Sequence, residues 1–361
     1  MNFIRMHVLL ARMASALRGL SAQAGGGRSR CALALAICAA VAVGAAGTSS
    51  TSYVHHGRAG IYDARASRPL VGLGDEQRSM FASPLWQGLR THIARYIAPY
   101  DAAVRPASLS RARAWIEAAE AQHQQILVAF YHSDFTPTRL PSVRAYQRDV
   151  RRFVKLFRHV RVYQPWDEAN RGNVRGRFAS PSAPTAARYY QALKRACTTC
   201  QVAGVDVLDQ NNPRSTLRYI AAFKHEIRRL KTVMPRLWGV HNYSDVNRFQ
   251  AWRTREVDRA LGGTIWLTET GGIVKFGRAF PDRNGAGIAR AARVLKFALG
   301  LLARERRIKA VYVYDWTGTN GVTTFDAGLT DRRGFPRPAY SVLCRYLLHN
   351  DSRCQVAVSW A

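Results

Sequence analysis

The sequence is short of lysine and short of acid. Seven lysines (Lys155, Lys194, Lys224, Lys231, Lys275, Lys296 and Lys309) stand among 54 basic residues, so the basicity is almost wholly arginine. Only 23 acids oppose them, leaving a formal net charge of +31 over 361 residues. Charged residues are 21% of the chain against 47% hydrophobic, which excludes a disordered tail or a coiled coil. With 14 Pro and 27 Gly, collagen-like and low-complexity classes are excluded too. No zinc finger, RNP-type strand or interleaved basic and aromatic stripe occurs, so the charge implies non-specific attraction to polyanions and no specific nucleic-acid site. The doublets Arg151-Arg152, Arg228-Arg229, Arg306-Arg307 and Arg332-Arg333 are scattered, as in a solvated arginine-rich exterior.

Long apolar runs are also scarce. The run Cys31–Gly47 is shorter than the roughly 20 residues that cross a bilayer comfortably, and it ends in small residues. Arg5, Arg12, Arg18, Arg28 and Arg30 precede it with no acid. Residues 1–47 therefore read as a secretory signal or an uncleaved N-terminal membrane anchor, and 48–66 as a polar linker. Either reading puts the remaining domain, 67–361, outside the cytoplasm, secreted or in the cell envelope. Beyond the leader four cysteines remain, and the oxidising compartment favours two local disulfides, Cys197–Cys200 and Cys344–Cys354. A redox motif at Cys197-Thr-Thr-Cys200 is the rival, although this segment ends a helix instead of opening one. A four-cysteine zinc site is weaker, because the second pair lacks close spacing.

Across the domain, short apolar runs alternate with stretches of helical period. The runs are Leu70–Leu73, Ile93–Ala98, Ile126–Tyr131, Val160–Tyr163, Val202–Leu208, Leu237–Val240, Thr264–Leu267 and Ala310–Tyr314. Amphipathic stretches such as Ala112–Gln122, Ala186–Ala196, Leu217–Leu230 and Ala289–Leu302 lie between them. Eight strands alternating with helices predict a single-domain α/β fold, a (β/α)8 TIM barrel. A doubly wound sheet is the alternative, but Val71-Gly-Leu-Gly74 lacks the G-x-G-x-x-G continuation.

The scarce acids are not scattered. Asp75, Glu76, Asp101, Asp134, Asp167, Glu168, Asp206, Asp209, Asp245, Glu269 and Asp315 all lie at or just past these strand ends. In a barrel those ends open on one face, where active sites are built. Tyr100, Tyr131, His132, Trp166, Asn170, Asn211, Asn212, His241, Tyr243, Trp316 and Asn320 join them. Carboxylates and amides to bind hydroxyls, with flat rings to stack on pyranose faces, are the chemistry of sugar recognition. Helix N-capping is the plainer expectation for Asp101, Asp134 and Asp245.

Two segments carry the chemistry: Tyr163-Gln-Pro-Trp166-Asp167-Glu168-Ala169-Asn170 after the fourth strand and Trp266-Leu-Thr268-Glu269-Thr270-Gly271-Gly272 at the end of the seventh. With His241-Asn242-Tyr243, Asp315-Trp316, Gly328-Leu329-Thr330-Asp331 and Pro336-Arg337-Pro338-Ala339-Tyr340, the chain resembles the retaining glycoside hydrolases of clan A. The strand-four motif of that clan reads W-N-E-P-N and its strand-seven motif T-E-x-G. The resemblance covers about residues 68–349. It implies Glu168 as acid/base and Glu269 as nucleophile. Retention needs one carboxylic acid to protonate the departing oxygen and one carboxylate to capture the anomeric carbon, about 5–5.5 Å apart. Repulsion between the two keeps the proton on the acid, so activity should peak at mildly acidic pH.

By position, the resemblance implies that Tyr243 donates to Glu269, that Arg95 lies beneath the nucleophile and that Trp316 floors the subsite of the attacked sugar. His241 contacts a sugar hydroxyl or is a core histidine. Asp75, Trp166, Asn211 and Asn212 complete the expected binding set. The sequence departs from the motif at Asp167, where the clan has Asn bonding the 2-hydroxyl, and at Ala169, where it has Pro. Asp167 adds a third carboxyl beside the pair. The expected partner is a poly- or oligosaccharide, with no metal or cofactor, bound by a monomer. The rival readings are a catalytically silent barrel that binds cell-envelope glycan and an arginine-rich polyanion-binding surface protein.

Overall fold

A computed structural model describes residues 68–172, 179–319, 325–349 and 351–355. The signal or anchor, the linker and Asn320 lie outside the described residues. The strands are β1 (Leu70–Gly74), β2 (Ile93–Pro99), β3 (Gln125–Tyr131), β4 (Val162–Gln164), β5 (Gln201–Val202), β6 (Asp206–Leu208), β7 (Leu237–His241), β8 (Thr264–Thr270) and β9 (Ile308–Tyr314). All pairings are parallel, in the order β5-β4-β3-β2-β1-β9-β8-β7-β6.

Segments β5 and β6 are two halves of one barrel strand. β5 pairs with β4 and β6 with β7, and the residues between them bond to both sides. Ala203 N donates to Tyr163 O at 2.9 Å and Gly204 N to Leu237 O at 2.8 Å. The sheet thus closes on itself with eight strand positions, the (β/α)8 barrel expected from the alternation. Gly204 is needed at the break, since a Cβ there would sit 2.3 Å from the Trp238 ring.

Helices cover the outside: α1 (Pro84–Gly88), α2 (Pro106–Ala121), α3 (Val143–Leu156), α4 (Ala183–Ala196), α5 (Pro213–Arg229), α6 (Tyr243–Val246), α7 (Trp252–Leu261), α8 (Ala286–Leu301) and α9 (Pro338–Leu347). Ser142, Ser182 and Asn212 cap α3, α4 and α5 by accepting from backbone N–H groups of the first turn. Proline opens α2, α5 and α9, where its missing N–H costs nothing. Among the described residues no helix is long and apolar enough to cross a membrane. Both disulfides are present, Cys197–Cys200 at the end of α4 and Cys344–Cys354 joining α9 to the chain beyond it.

Inside the barrel, Ile93, Leu127, Val162, Ala203, Leu237, Trp266, Ala310 and Tyr312 form one buried cluster, with Leu70 packed against it. All eight strand positions contribute, the fifth through Ala203 between its two halves. This plug closes the lower barrel. Side chains alternate along a strand, so the inward residues two positions later form the next layer up.

Candidate active site

That next layer is polar. Arg95 follows Ile93 by two residues, Gln164 follows Val162, Gly239 follows Leu237 and Thr268 follows Trp266. Arg95 is only 1% exposed and spreads its guanidinium over three carboxylates. Its Nη1 donates to Glu269 Oε1 at 2.7 Å, and its Nη2 to Asp167 Oδ1 at 2.5 Å and to Asp206 Oδ2 at 2.8 Å. Gly239 keeps this layer open. A Cβ there would lie 2.1 Å from Gln164 Nε2 and 2.5 Å from Asp206 Oδ1.

Glu168 sits on the turn leaving β4. Asp167 N donates to Phe130 O at 2.8 Å and Ala169 N to Asp206 O at 2.8 Å, so the turn hangs between β3 and β6. Asn170 reinforces it, donating through Nδ2 to Leu208 O at 2.9 Å and accepting from Leu208 N at 2.8 Å. Held this way, Glu168 adopts φ +45°, a left-handed conformation uncommon for a residue with a side chain. Its Oε2 pairs with Arg171 Nη2 at 2.9 Å, and its Oε1 lies 3.3 Å from His241 Nδ1. Arg171 also donates to the Tyr131 hydroxyl.

Glu269 ends β8, where the pairing with β9 shifts register between Leu267 and Thr270. Such irregularities re-aim side chains. Thr268 Oγ1 donates to Asp206 Oδ1 at 2.5 Å while its neighbour Glu269 meets Arg95, so two consecutive side chains reach the same interior. Tyr243 OH donates to Glu269 Oε2 at 3.4 Å, and His241 Nδ1 lies 3.6 Å from that oxygen. His241 Nε2 is 3.0 Å from Asp206 Oδ2.

Burial disfavours charge on His241, but Asp206 and Glu269 outweigh it and hold the imidazole protonated well above its ordinary range. Burial likewise opposes the Asp206 carboxylate, yet His241 and Arg95 keep its pKa below normal. Burial dominates at Asp167 and pushes its carboxyl up to about 8 despite Arg95. Glu269 is also raised by burial, with His241 and Arg95 pulling it back. Near neutral pH the cations Arg95 and His241 therefore face the Asp206 carboxylate and the raised carboxyl of Glu269, while Asp167 retains a proton. The third charge anticipated at Asp167 is neutralised by desolvation.

The structure thus brings together Glu168, Glu269, Asp167, His241, Tyr243 and Arg95. Other expected binding residues lie elsewhere. Trp166 is wholly buried in the layer behind the strands, stacked 5.4 Å from Tyr189. Trp316 is 4% exposed and packs edge-on against Tyr340. Asp75 accepts from Gln77 N at 2.7 Å and Thr317 N at 3.0 Å, tying two mouth loops together, and burial raises it to about 6. Asn212 caps α5 and Asn211 accepts from Arg248 Nη2 at 2.8 Å, and both line a cavity. Of the three aspartates expected as helix caps, Asp245 accepts from a first-turn N–H of the helix that follows it, and the contacts of the other two are with side chains. Asp101 holds Ser133 and Arg105, Asp134 holds Ser108 and Arg111, and Asp245 accepts from Thr254 N in the first turn of α7 at 2.7 Å.

The cavity, of about 280 Å³, opens from Glu168 and Tyr243 toward the loops after β4, β6 and β7. Arg171, Asp209, Gln210, Asn211, Asn212 and Ser215 supply polar walls, with Phe276 and Phe325 opposite in the lining. Two members of the constellation were not singled out as site residues from sequence, Asp206 and Arg171. A charged residue inside the apolar run Val202–Leu208 was the available signal for the first. For the second the signal was its place three residues beyond Glu168.

Ligand atoms of Asp167, His241 and Glu269 lie within 4.8 Å of one another, a spacing that suits a cation. Arg95 already donates to both carboxylates, and His241 Nε2 faces Asp206. A metal ion there would meet a guanidinium at hydrogen-bond distance from its own ligands, so the charge balance argues for the guanidinium.

No protein-family model and no curated protein matches the sequence. Among solved structures the chain is similar to a family 39 glycoside hydrolase from Bacteroides cellulosilyticus WH2, at 16% identity and TM-score 0.55, covering 78% of this chain and 64% of that one. It is similar to xylanase 10B from Thermotoga maritima at 13% identity and TM-score 0.57, covering 78% and 96%. The endo-1,4-beta-xylanase XylE from Penicillium canescens aligns at 13% identity and TM-score 0.56, covering 81% and 97%. The chain spans less than two thirds of the family 39 enzyme's length. At these identities the likeness shows a shared barrel fold.

Proposed function

We propose that this chain is an extracytoplasmic glycoside hydrolase that cleaves β-linked poly- or oligosaccharides by double displacement. One observation carries the reading: a single nitrogen, His241 Nδ1, lies 3.3 Å from Glu168 and 3.6 Å from Glu269. The two carboxyl groups therefore approach within at most about 7 Å through their nearest oxygens, a limit that accommodates the 5–5.5 Å of retaining enzymes. Barrel relatives whose names include xylanases, at low identity, support the same class.

In this mechanism Glu269 attacks the anomeric carbon as Glu168 passes its proton to the glycosidic oxygen, which leaves with the aglycone. Glu168, now a carboxylate, takes a proton from water. The water oxygen then attacks the anomeric carbon, and Glu269 departs from the glycosyl ester. Arg95 and Tyr243 hold Glu269 in place as an anion. Asp167 suits the role that the clan gives to Asn. With its carboxyl raised to about 8 it is neutral, with Oδ1 bound by Arg95 and the proton available to a sugar 2-hydroxyl.

A second reading, the glycan-binding barrel without catalysis, is favoured by one contact. Arg171 and His241 both lean on Glu168, and cations at this range favour the carboxylate over the acid. Reducing-end release from plant and microbial polysaccharides, with product anomers read by NMR, separates the two. Hydrolysis with net retention that vanishes in Glu269→Gln supports the enzyme. Net inversion, or full activity in that variant, overturns it. Binding with no release by the unaltered chain supports the silent barrel.

A further inference from the structure

Arg171 has more donors than the described structure uses. Its side chain is 4% exposed, lines the cavity and carries five N–H groups. One contact goes to Glu168 and one to the Tyr131 hydroxyl, while Nε finds no acceptor among the described residues. Nε itself is buried, but each Nη nitrogen carries a second N–H beyond its one contact, and the side chain lines the cavity, so the guanidinium is suited to a further acceptor there.

The surroundings favour an anionic one. Arg248 and Arg253 stand behind Asn211, holding its side chain and main chain at 2.8 and 3.3 Å. Burial, and after it repulsion by Arg253, depresses Arg248. The acid in the same wall, Asp209, spends both oxygens on backbone N–H groups of Ser244 and Asp245. Burial raises its carboxyl to about 7, so it opposes an anion only weakly. Because an acid/base residue protonates the departing oxygen, the cavity on the Glu168 side is where the leaving group lies.

We infer that Arg171 is a binding residue for a uronic acid unit on the leaving-group side, its guanidinium taking the sugar carboxylate. The effect on catalysis rests on the glycosidase reading, whereas the binding does not. Glu168 is faced by Asp167 and Arg171 on its own turn, Tyr131 on β3, His241 on β7, Tyr243 beyond it and Glu269 on β8. Arg171 is the cation of this set that also lines the cavity. A carboxylate shared with Arg171 loosens its hold on Glu168 and lets that residue keep the proton it must donate. The acidic substrate thereby arms its own acid.

Equilibrium binding tests this on the full chain carrying Glu269→Gln, with β-1,4-linked oligoglucuronate and a cello-oligosaccharide of equal length as probes. The oligoglucuronate is expected to bind at least tenfold more tightly, and Arg171→Gln to remove that preference. Arg171→Lys keeps the charge without the planar fork, and is expected to reduce the preference several-fold. The doublet variant Arg151→Gln/Arg152→Gln, on the exposed face of α3, should leave it intact at 0.5 M salt, where long-range attraction is screened to within about 4 Å. A preference untouched by both Arg171 variants, or one lost equally in the doublet variant, overturns the inference. If oligoglucuronate preference depends on Arg171 while the chain with Glu269 intact hydrolyses no β-glycoside, the inference stands and the glycosidase reading falls. Hydrolysis that ignores both the carboxylate and Arg171 does the reverse.

Discussion

The lower and upper halves of the barrel are built from the same strands, two residues apart, and differ in almost every physical respect. Below, Ile93, Leu127, Val162, Leu237 and Trp266 exclude water and require nothing of one another but shape. Above, Arg95, Asp167, Asp206, His241 and Glu269 are equally buried, and each depends on charges supplied by the others. A loss in the apolar layer leaves a cavity whose cost is one of packing, while a loss in the charge cluster leaves its partners buried and unpaired. Stability and chemistry are thereby separated by the height of one strand repeat.

The sharpest test of that separation is Glu269→Gln, which should drop hydrolysis to background while the plug leaves the fold standing, as checked by reducing-end release and circular dichroism. Glu168→Gln should cost about 10²–10⁴-fold on unactivated glycans. Next comes Arg95→Gln, which strands three carboxylates in the interior. We expect about 3–5 kcal/mol of lost stability in urea unfolding together with lost activity. Leu127→Ala, in the plug, should cost about 2–5 kcal/mol but leave the pH–rate profile where it was. A shifted profile in that variant would break the comparison. Gly239→Ala, forced against Gln164 and Asp206, should cost about 1–3 kcal/mol and disturb the profile.

The mildest effect is on pH dependence. A raised Asp167 holds its proton in the folded state when the unfolded chain has lost it, so stability falls as pH rises from about 4 toward about 8, by up to about 1.4 kcal/mol per pH unit. His241, raised above its ordinary value, acts in the same direction above about pH 6.5. Asp206, lowered, withdraws its support only as pH falls below about 4. From these groups stability should peak near about pH 4, and Asp167→Asn should flatten the slope above it in thermal unfolding. A slope unchanged by that substitution would mean that desolvation is not what holds the proton.

The strands were legible because a parallel barrel buries both faces, so each appears as a short apolar run, and all eight runs became strand positions. Helix starts were less so. The periodic stretches begin at Ala112, Ala186, Leu217 and Ala289, whereas the helices begin at Pro106, Ala183, Pro213 and Ala286. First turns are marked by proline and caps and carry little apolar period. The split of the fifth strand at Gly204 depends on the Trp238 ring across the interface, which no local pattern records.

At the site, the glutamates were recognisable by their motifs and Arg95 by its strand. Asp206 looked like one more mouth carboxylate, because its part depends on which side chains converge from β2, β7 and β8. The tryptophans misled for the opposite reason. Aromatic residues at strand ends point either into the cleft or back under the helices, and a one-residue difference in register decides between them. Trp166 and Trp316 point back, into the packing.

Asp206 joins the two carboxyl groups in a way that neither motif contains. Its main-chain oxygen accepts from Ala169 and so anchors the turn bearing Glu168, while its carboxylate engages Arg95, His241 and Thr268 around Glu269. Placement of Glu168 and polarisation of the groups that hold Glu269 are thus inherited from one residue. An amide at that position, Asp206→Asn, would keep the anchor and remove the field, so shape and electrostatics here can be varied one at a time.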